Sequence, residues 1–171
     1  MYLQIENSYN ELIESGSALA RGEKNDCVVR SLAAASGIAY NSAHKFCKEE
    51  FKRVDRRGTK NEQIVGRMEK ASKDGIELDG RTFDVKICTR KQTRNLYKLH
   101  GEEVWRQKTL KSFVQANPEG TFIVLVAKHA LTIQDGELID WKGMTFLPTR
   151  KVQSEYELIR TGLGIQLALE F

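Results

Sequence analysis

The spacing of apolar residues changes character along this chain. Up to Ser72 they recur every three to five positions, whereas beyond Gly120 they run together or alternate. The first pattern is that of helices with one buried face, the second that of strands. Val28, Val29, Leu32, Ala33 and Ala35 give a broad apolar surface to a helix over 27–36, and Gly37 stops it. Ala43, Phe46, Cys47, Phe51 and Val54 predict a second helix over 41–54, with charges between them. Ile64, Val65 and Met68 place a third over 62–72. Ahead of these, Tyr9, Leu12, Ile13 and Ala18 to Ala20 suggest a short helix over 9–20, broken at Gly16 and Gly22. Asn25 or Asp26 is suited to cap the 27–36 helix, because a short side chain accepts from the free amides of a first turn.

The second half reads differently. Thr109 caps a short helix carrying Leu110, Phe113 and Val114, which ends at Asn117-Pro118-Glu119-Gly120. An apolar strand over 121–127 follows, then a strand containing His129. An Asp135-Gly136 turn leads to a strand over 137–141. Asp-Gly between two apolar runs is a strong hairpin signal, since both residues tolerate the positive φ that a tight turn demands. Further strands are expected over 152–159 and 164–171. Helices first and antiparallel strands afterwards define an α+β fold, in one domain spanning 1–171. Within 73–108 only Thr82 to Cys88 alternates as a strand does; the rest is polar, and the stretch reads as a possible insertion or lid.

Composition narrows the classes. With 171 residues, 40% hydrophobic and 29% charged, the chain matches one soluble globular domain. No stretch approaches the ~20 apolar residues of a membrane span. The start lacks a basic and apolar leader, so the expected site of action is the cytosol of a bacterium or an infected cell. The three cysteines, Cys27, Cys47 and Cys88, form no CxxC pair and are expected as free thiols. No two candidate ligands have the close spacing of a zinc site, so neither a metal nor another cofactor is expected. The net charge of +4 is mild. Basic clusters over 45–57 and 90–94 lack interleaved aromatics suited to stacking on bases, which argues against nucleic acid as the partner.

Chemistry enters with Cys27. It opens the apolar helix, where unpaired amides favour a thiolate. His129 is expected inside a strand and Asp140 on the next strand, in the order nucleophile, base, orienting acid. His129 can pull the thiol proton and return it to a leaving group, and Asp140 can hold the far ring nitrogen. Across an Asp135-Gly136 turn His129 pairs with a residue near 142, so reaching Asp140 is expected to need a slightly shifted register. For each residue there is a plainer role: Cys27 as packing, His129 as a satisfied core histidine. Cys47 is expected in the core and Cys88 at a strand end. His44 and His100 are expected on the surface, and Trp105 and Trp141 in the core or lining a cleft.

Asn25-Asp26-Cys27 with its apolar helix, Gly120 to Val124, His129-Ala130, and Asp135-Gly136 with Asp140 together resemble the papain-like fold. The likeness is to small C39-like peptidases and related phage-encoded proteins in particular, and it covers about a third of the chain. The resemblance implies a peptidase or amidase acting on a peptide or protein, such as a host protein, with Cys27 as nucleophile, His129 as base and Asp140 as orienter. Such enzymes usually carry a Gln five or six residues before the Cys, to stabilise the oxyanion. Here the chain has Ala20-Arg21-Gly22, and Asn25 is the nearest amide. The alternative is a papain-like module that has weakened or lost catalysis and binds a partner protein.

Overall fold

The computed structural model describes residues 3–4, 7–8, 17–89, 94–140, 145–146 and 149–161. The short pieces are β1 (Leu3–Gln4) and β2 (Asn7–Ser8), followed by helix α1 (Ala18–Gly22). Three longer helices come next: α2 (Cys27–Ser36), α3 (Tyr40–Glu50) and α4 (Asn61–Asp74). Strands β3 (Ile76–Leu78) and β4 (Arg81–Ile87) lead to a hairpin of β5 (Arg94–Leu99) and β6 (Glu102–Gln107). After α5 (Leu110–Ala116) come β7 (Thr121–Val126), β8 (His129–Gln134), β9 (Glu137–Asp140), β10 (Thr145–Phe146) and β11 (Val152–Thr161).

The most apolar strand lies at the centre. The main sheet runs β2-β9-β8-β7-β11-β4-β3, antiparallel throughout except where β2 joins β9 in parallel. Because side chains alternate across a strand, β7 serves two cores. Ile123 and Leu125 face the layer of α2, α3 and α4, with Val29, Leu32, Ile64 and Met68. Phe122, Val124 and Val126 face α5, with Leu110 and Phe113. Coverage of both faces explains why the run reads as continuous rather than alternating. β1 and β10 pair with each other. No helix among the described residues is long and apolar enough to cross a membrane.

The expected elements are present with shifted ends. α3 stops at Glu50 rather than Val54: Lys52 has φ 52° and Val54 is 57% exposed, so the chain has already left the helix. The stretch 73–108 divides. Its first part completes α4 and supplies β3 and β4 to the main sheet, and only the β5–β6 hairpin forms a separate sheet. Residues 9–16 of the expected first helix, Trp141 and the expected 164–171 strand lie outside the described residues.

Candidate active site

The start of α2 is held by a buried charge network rather than by a cap. Asp26 is the N-cap residue, yet its side chain bonds no amide of the helix. Arg30 donates to Asp26 Oδ2 at 2.9 Å and to the Ala20 carbonyl at 3.1 Å, and the Tyr40 hydroxyl donates to the same Oδ2 at 2.6 Å. All three side chains are buried. Burial and the Asp26 carboxylate push the Tyr40 hydroxyl far above its ordinary pKa, which keeps it a donor. The expected cap is therefore corrected: one turn of helix separates Asp26 from Arg30, and a buried guanidinium outbids an amide for its carboxylate.

A buried hydrogen bond ties α2 to β8. Ser31, one turn after Cys27, shares a hydrogen bond of 3.0 Å with the Thr132 hydroxyl, which lies 2.9 Å from the Ser31 carbonyl. Both side chains are wholly buried, so this contact sets how the Cys27 end of the helix stands against the strand that carries His129.

Cys27, His129 and Asp140 come together. His129 Nε2 donates to Asp140 Oδ2 at 2.5 Å, with the carboxylate fully buried and the ring almost so. Cys27 lies beside the same ring, close enough to help hold its proton. With Nε2 taken by Asp140, Nδ1 is the nitrogen left for the thiol. Burial by itself lowers the ring's pKa, but Asp140 and Cys27 outweigh it and lift His129 from 6.5 to about 9. No register shift is required. Gln134 pairs with Glu137 and Thr132 with Ile139, which places Asp140 opposite Leu131 and diagonal to His129, on the same face. Asp135 (φ 48°) and Gly136 (φ 80°) make the turn. The Asp135 carboxylate accepts from the Gly120 amide at 3.0 Å and so has a structural task of its own.

Cys27 and His129 open into a cleft of about 510 Å³. One wall is Leu125, Lys128 and Ala130; the other is Asn25, Gly58, Thr59 and Asn61. Asn25 thus stands at the cleft, at φ 55°, with its amide nitrogen 3.4 Å from the Arg56 carbonyl. The wall formed by 58–61 was not legible in the sequence, since this loop has no periodicity. Its one signal is Gly58 between two helices. A second groove, of about 490 Å³, lies at the other end of α2 between Gly37, Arg81 and Arg160, and neither a cysteine nor a histidine is among its lining residues.

The loop from Phe51 to Lys60 is clamped beside the cleft by another buried set. Arg53 donates to Glu23 Oε2 at 2.5 Å and to the Lys24 carbonyl at 3.3 Å, and lies 3.1 Å from His44 Nε2. The backbone amide of Arg56 donates to Glu23 as well. Burial works to raise the Glu23 pKa, but Arg53 and this amide hold it below the ordinary value. Here the expectation for His44 fails: it is buried, because α3 turns it inward against Glu23 and Arg53. Glu23, His44 and Asp55 bring acceptor atoms within 4.8 Å of one another, as a metal site does, but the guanidinium of Arg53 already supplies the positive charge among them.

The remaining residues have plainer places. Cys47 is fully buried in the helical core, and burial drives its thiol far up in pKa. Cys88 sits in the second core, pushed up to about 12 by burial and by Glu155 and Glu157. His100 is exposed in the hairpin turn, and Trp105 is half-buried on β6, away from the cleft lining. Compared with protein-family models, curated proteins and solved structures, the chain matches none.

Proposed function

We propose that this chain is a papain-like cysteine hydrolase that cleaves a peptide or isopeptide bond. The observation that carries the reading is that Cys27 and His129 both line one cleft, with His129 hydrogen-bonded behind it to the buried Asp140. A ring charged to about pH 9 beside the thiol is the partner that stabilises a thiolate. The Cys27 sulfur attacks the substrate carbonyl and forms a tetrahedral intermediate. Its collapse breaks the carbon–nitrogen bond, and His129 gives the proton to the departing amine. Water, deprotonated by the now neutral ring, then attacks the thioester; an acid is released and the proton returns to the Cys27–His129 pair. Asp140 fixes the ring throughout. No metal or cofactor is needed for these steps. The fold is α+β with an antiparallel sheet, and the papain-like assignment belongs to this proposal, as do a peptide or protein substrate and a cytosolic setting.

A second reading is a papain-like module that binds a partner without turning it over. One observation favours it: no Gln stands five or six residues ahead of Cys27, where the chain has Arg21 and Gly22, and the nearest amide, that of Asn25, is directed at the Arg56 carbonyl. Loss of one oxyanion donor costs on the order of 10²-fold in rate. Alkylation by iodoacetamide, located by mass spectrometry on the native protein, tests the first reading. Cys27 should react at neutral pH at least tenfold faster than Cys47 and Cys88, and His129→Ala should abolish that advantage. An inert Cys27, or one indifferent to His129→Ala, would sink the catalytic reading.

A further inference from the structure

The charged residues at and beside the cleft are mostly of one sign. Lys128 lines the cleft directly, and its backbone sits at φ 60°, a conformation that residues other than glycine and asparagine avoid. Lys24 precedes Asn25, Arg57 precedes Gly58, Lys60 lies between Thr59 and Asn61, and the Arg56 carbonyl meets the Asn25 amide. These five cations are all exposed, and none makes an ion pair with another described residue. The neighbouring acids are already spoken for. Asp26 is buried on Arg30, Glu23 on Arg53, and Asp55 bonds Lys48 at 2.8 Å. Exposed Glu62, in the first turn of α4, is the one neighbouring carboxylate left without a cation among the described residues. No acidic residue lines the cleft itself. A pocket with one lining cation, and four more exposed unpaired cations on residues adjoining its 25 and 58–61 wall, has a positive potential that draws anions and disfavours cations.

Resting on the hydrolase reading, we propose that the substrate is an acidic polypeptide, with carboxylates flanking the bond that Cys27 attacks. Aspartate or glutamate side chains on either side of the scissile bond meet Lys128 on one wall and, at the rim beside the 58–61 wall, Arg57 and Lys60. Nucleic acid would feel the same field. A polypeptide is favoured because the cleft presents a thiol and an imidazole beside small and neutral side chains, with no aromatic among its lining residues on which a base would stack.

Two alkylating reagents that differ in charge test this without knowledge of the substrate. The rate ratio of iodoacetate to iodoacetamide at Cys27 is measured in the folded protein and in urea. At low salt the folded protein should favour iodoacetate by about tenfold more than the unfolded chain, and the preference should shrink as salt is raised. The helix amides and His129 also attract anions, so the variants decide the matter. Each of Lys128→Asn, Arg57→Gln and Lys60→Gln should lower the ratio by about twofold, as expected of a charge roughly 8 Å away in water. Asn tolerates the backbone of Lys128. Lys111→Gln, on α5, should leave the ratio where it was. A short glutamate-rich peptide should then slow alkylation of Cys27, and its glutamine counterpart should not. A ratio unmoved by the three variants, equal protection by both peptides, or better protection by an RNA oligomer would each overturn the proposal. A Cys27 inert to both reagents would instead bring down the hydrolase reading and this one with it.

Discussion

His129 shows how far one side chain's neighbours set its chemistry. An imidazole 10% exposed should by burial be neutral at pH 7, and Asp140 and Cys27 reverse that. The folded ring holds its proton to about pH 9, and the unfolded ring releases it near 6.5. The stability this contributes is complete below about pH 6.5 and is lost as pH rises towards 9. Denaturant unfolding of the wild type and Asp140→Asn should therefore show a gap that narrows across that interval; a constant gap would mean the ring is already neutral. On activity, Asp140→Asn should be severe, on the order of 10⁴-fold by analogy with other triads, once a substrate is in hand. At this scale Cys27, His129 and Asp140 were legible because a helix start, a strand and a tight turn constrain where each lies. The burial of His44 was not: its inward turn depends on Glu23 and Arg53, which are distant in sequence and meet it only after folding.

At the scale of elements, what matters is how α2 is anchored at its two functional ends. The Asp26–Arg30–Tyr40 network holds the residue before Cys27. Asp26→Ala leaves a buried guanidinium without its partner and should cost about 3–5 kcal/mol in urea denaturation. The Ser31–Thr132 contact fixes the helix to the His129 strand. Thr132→Val should cost about 1–3 kcal/mol, since Ser31 loses a buried partner. It should also slow Cys27 alkylation, and Thr132→Ser should restore both. A Thr132→Val protein that is destabilised yet alkylated at the wild-type rate would show that the contact supports the fold without positioning the thiol. Capping illustrates what the sequence tells about such ends. Thr109 caps α5 as expected, accepting from the Ser112 amide at 3.2 Å, because no stronger donor competes for its hydroxyl. Asp26 does not cap α2, because Arg30 and Tyr40 do compete, and only Arg30 is near enough in sequence to suggest it.

For the whole molecule, the division between core and appendage decides which parts the site depends on. Of the six antiparallel strands of the main sheet, β7, β8, β9 and β11 supply apolar side chains to both cores, and the β8–β9 hairpin was visible in the sequence from its apolar runs and turn, whereas β3 and the place of β11 between β7 and β4 were not. The polar loops were not visible, since neither the cleft wall at 58–61 nor the hairpin at 94–107 has an apolar period to betray its place. The hairpin pairs only with itself among the described strands, and Leu96, Tyr97 and Leu99 are each nearly half exposed. Little buried area ties it to the rest, so its amides should exchange with solvent well before those of β7 and β8. Replacing 95–106 by a short glycine-serine link should then leave the melting temperature within a few degrees of the wild type. The same variant asks whether the hairpin reaches the cleft. Unchanged alkylation of Cys27 would make it an arm independent of the site, whereas a faster reaction would mean that it shields the thiol in the intact protein, as a lid would.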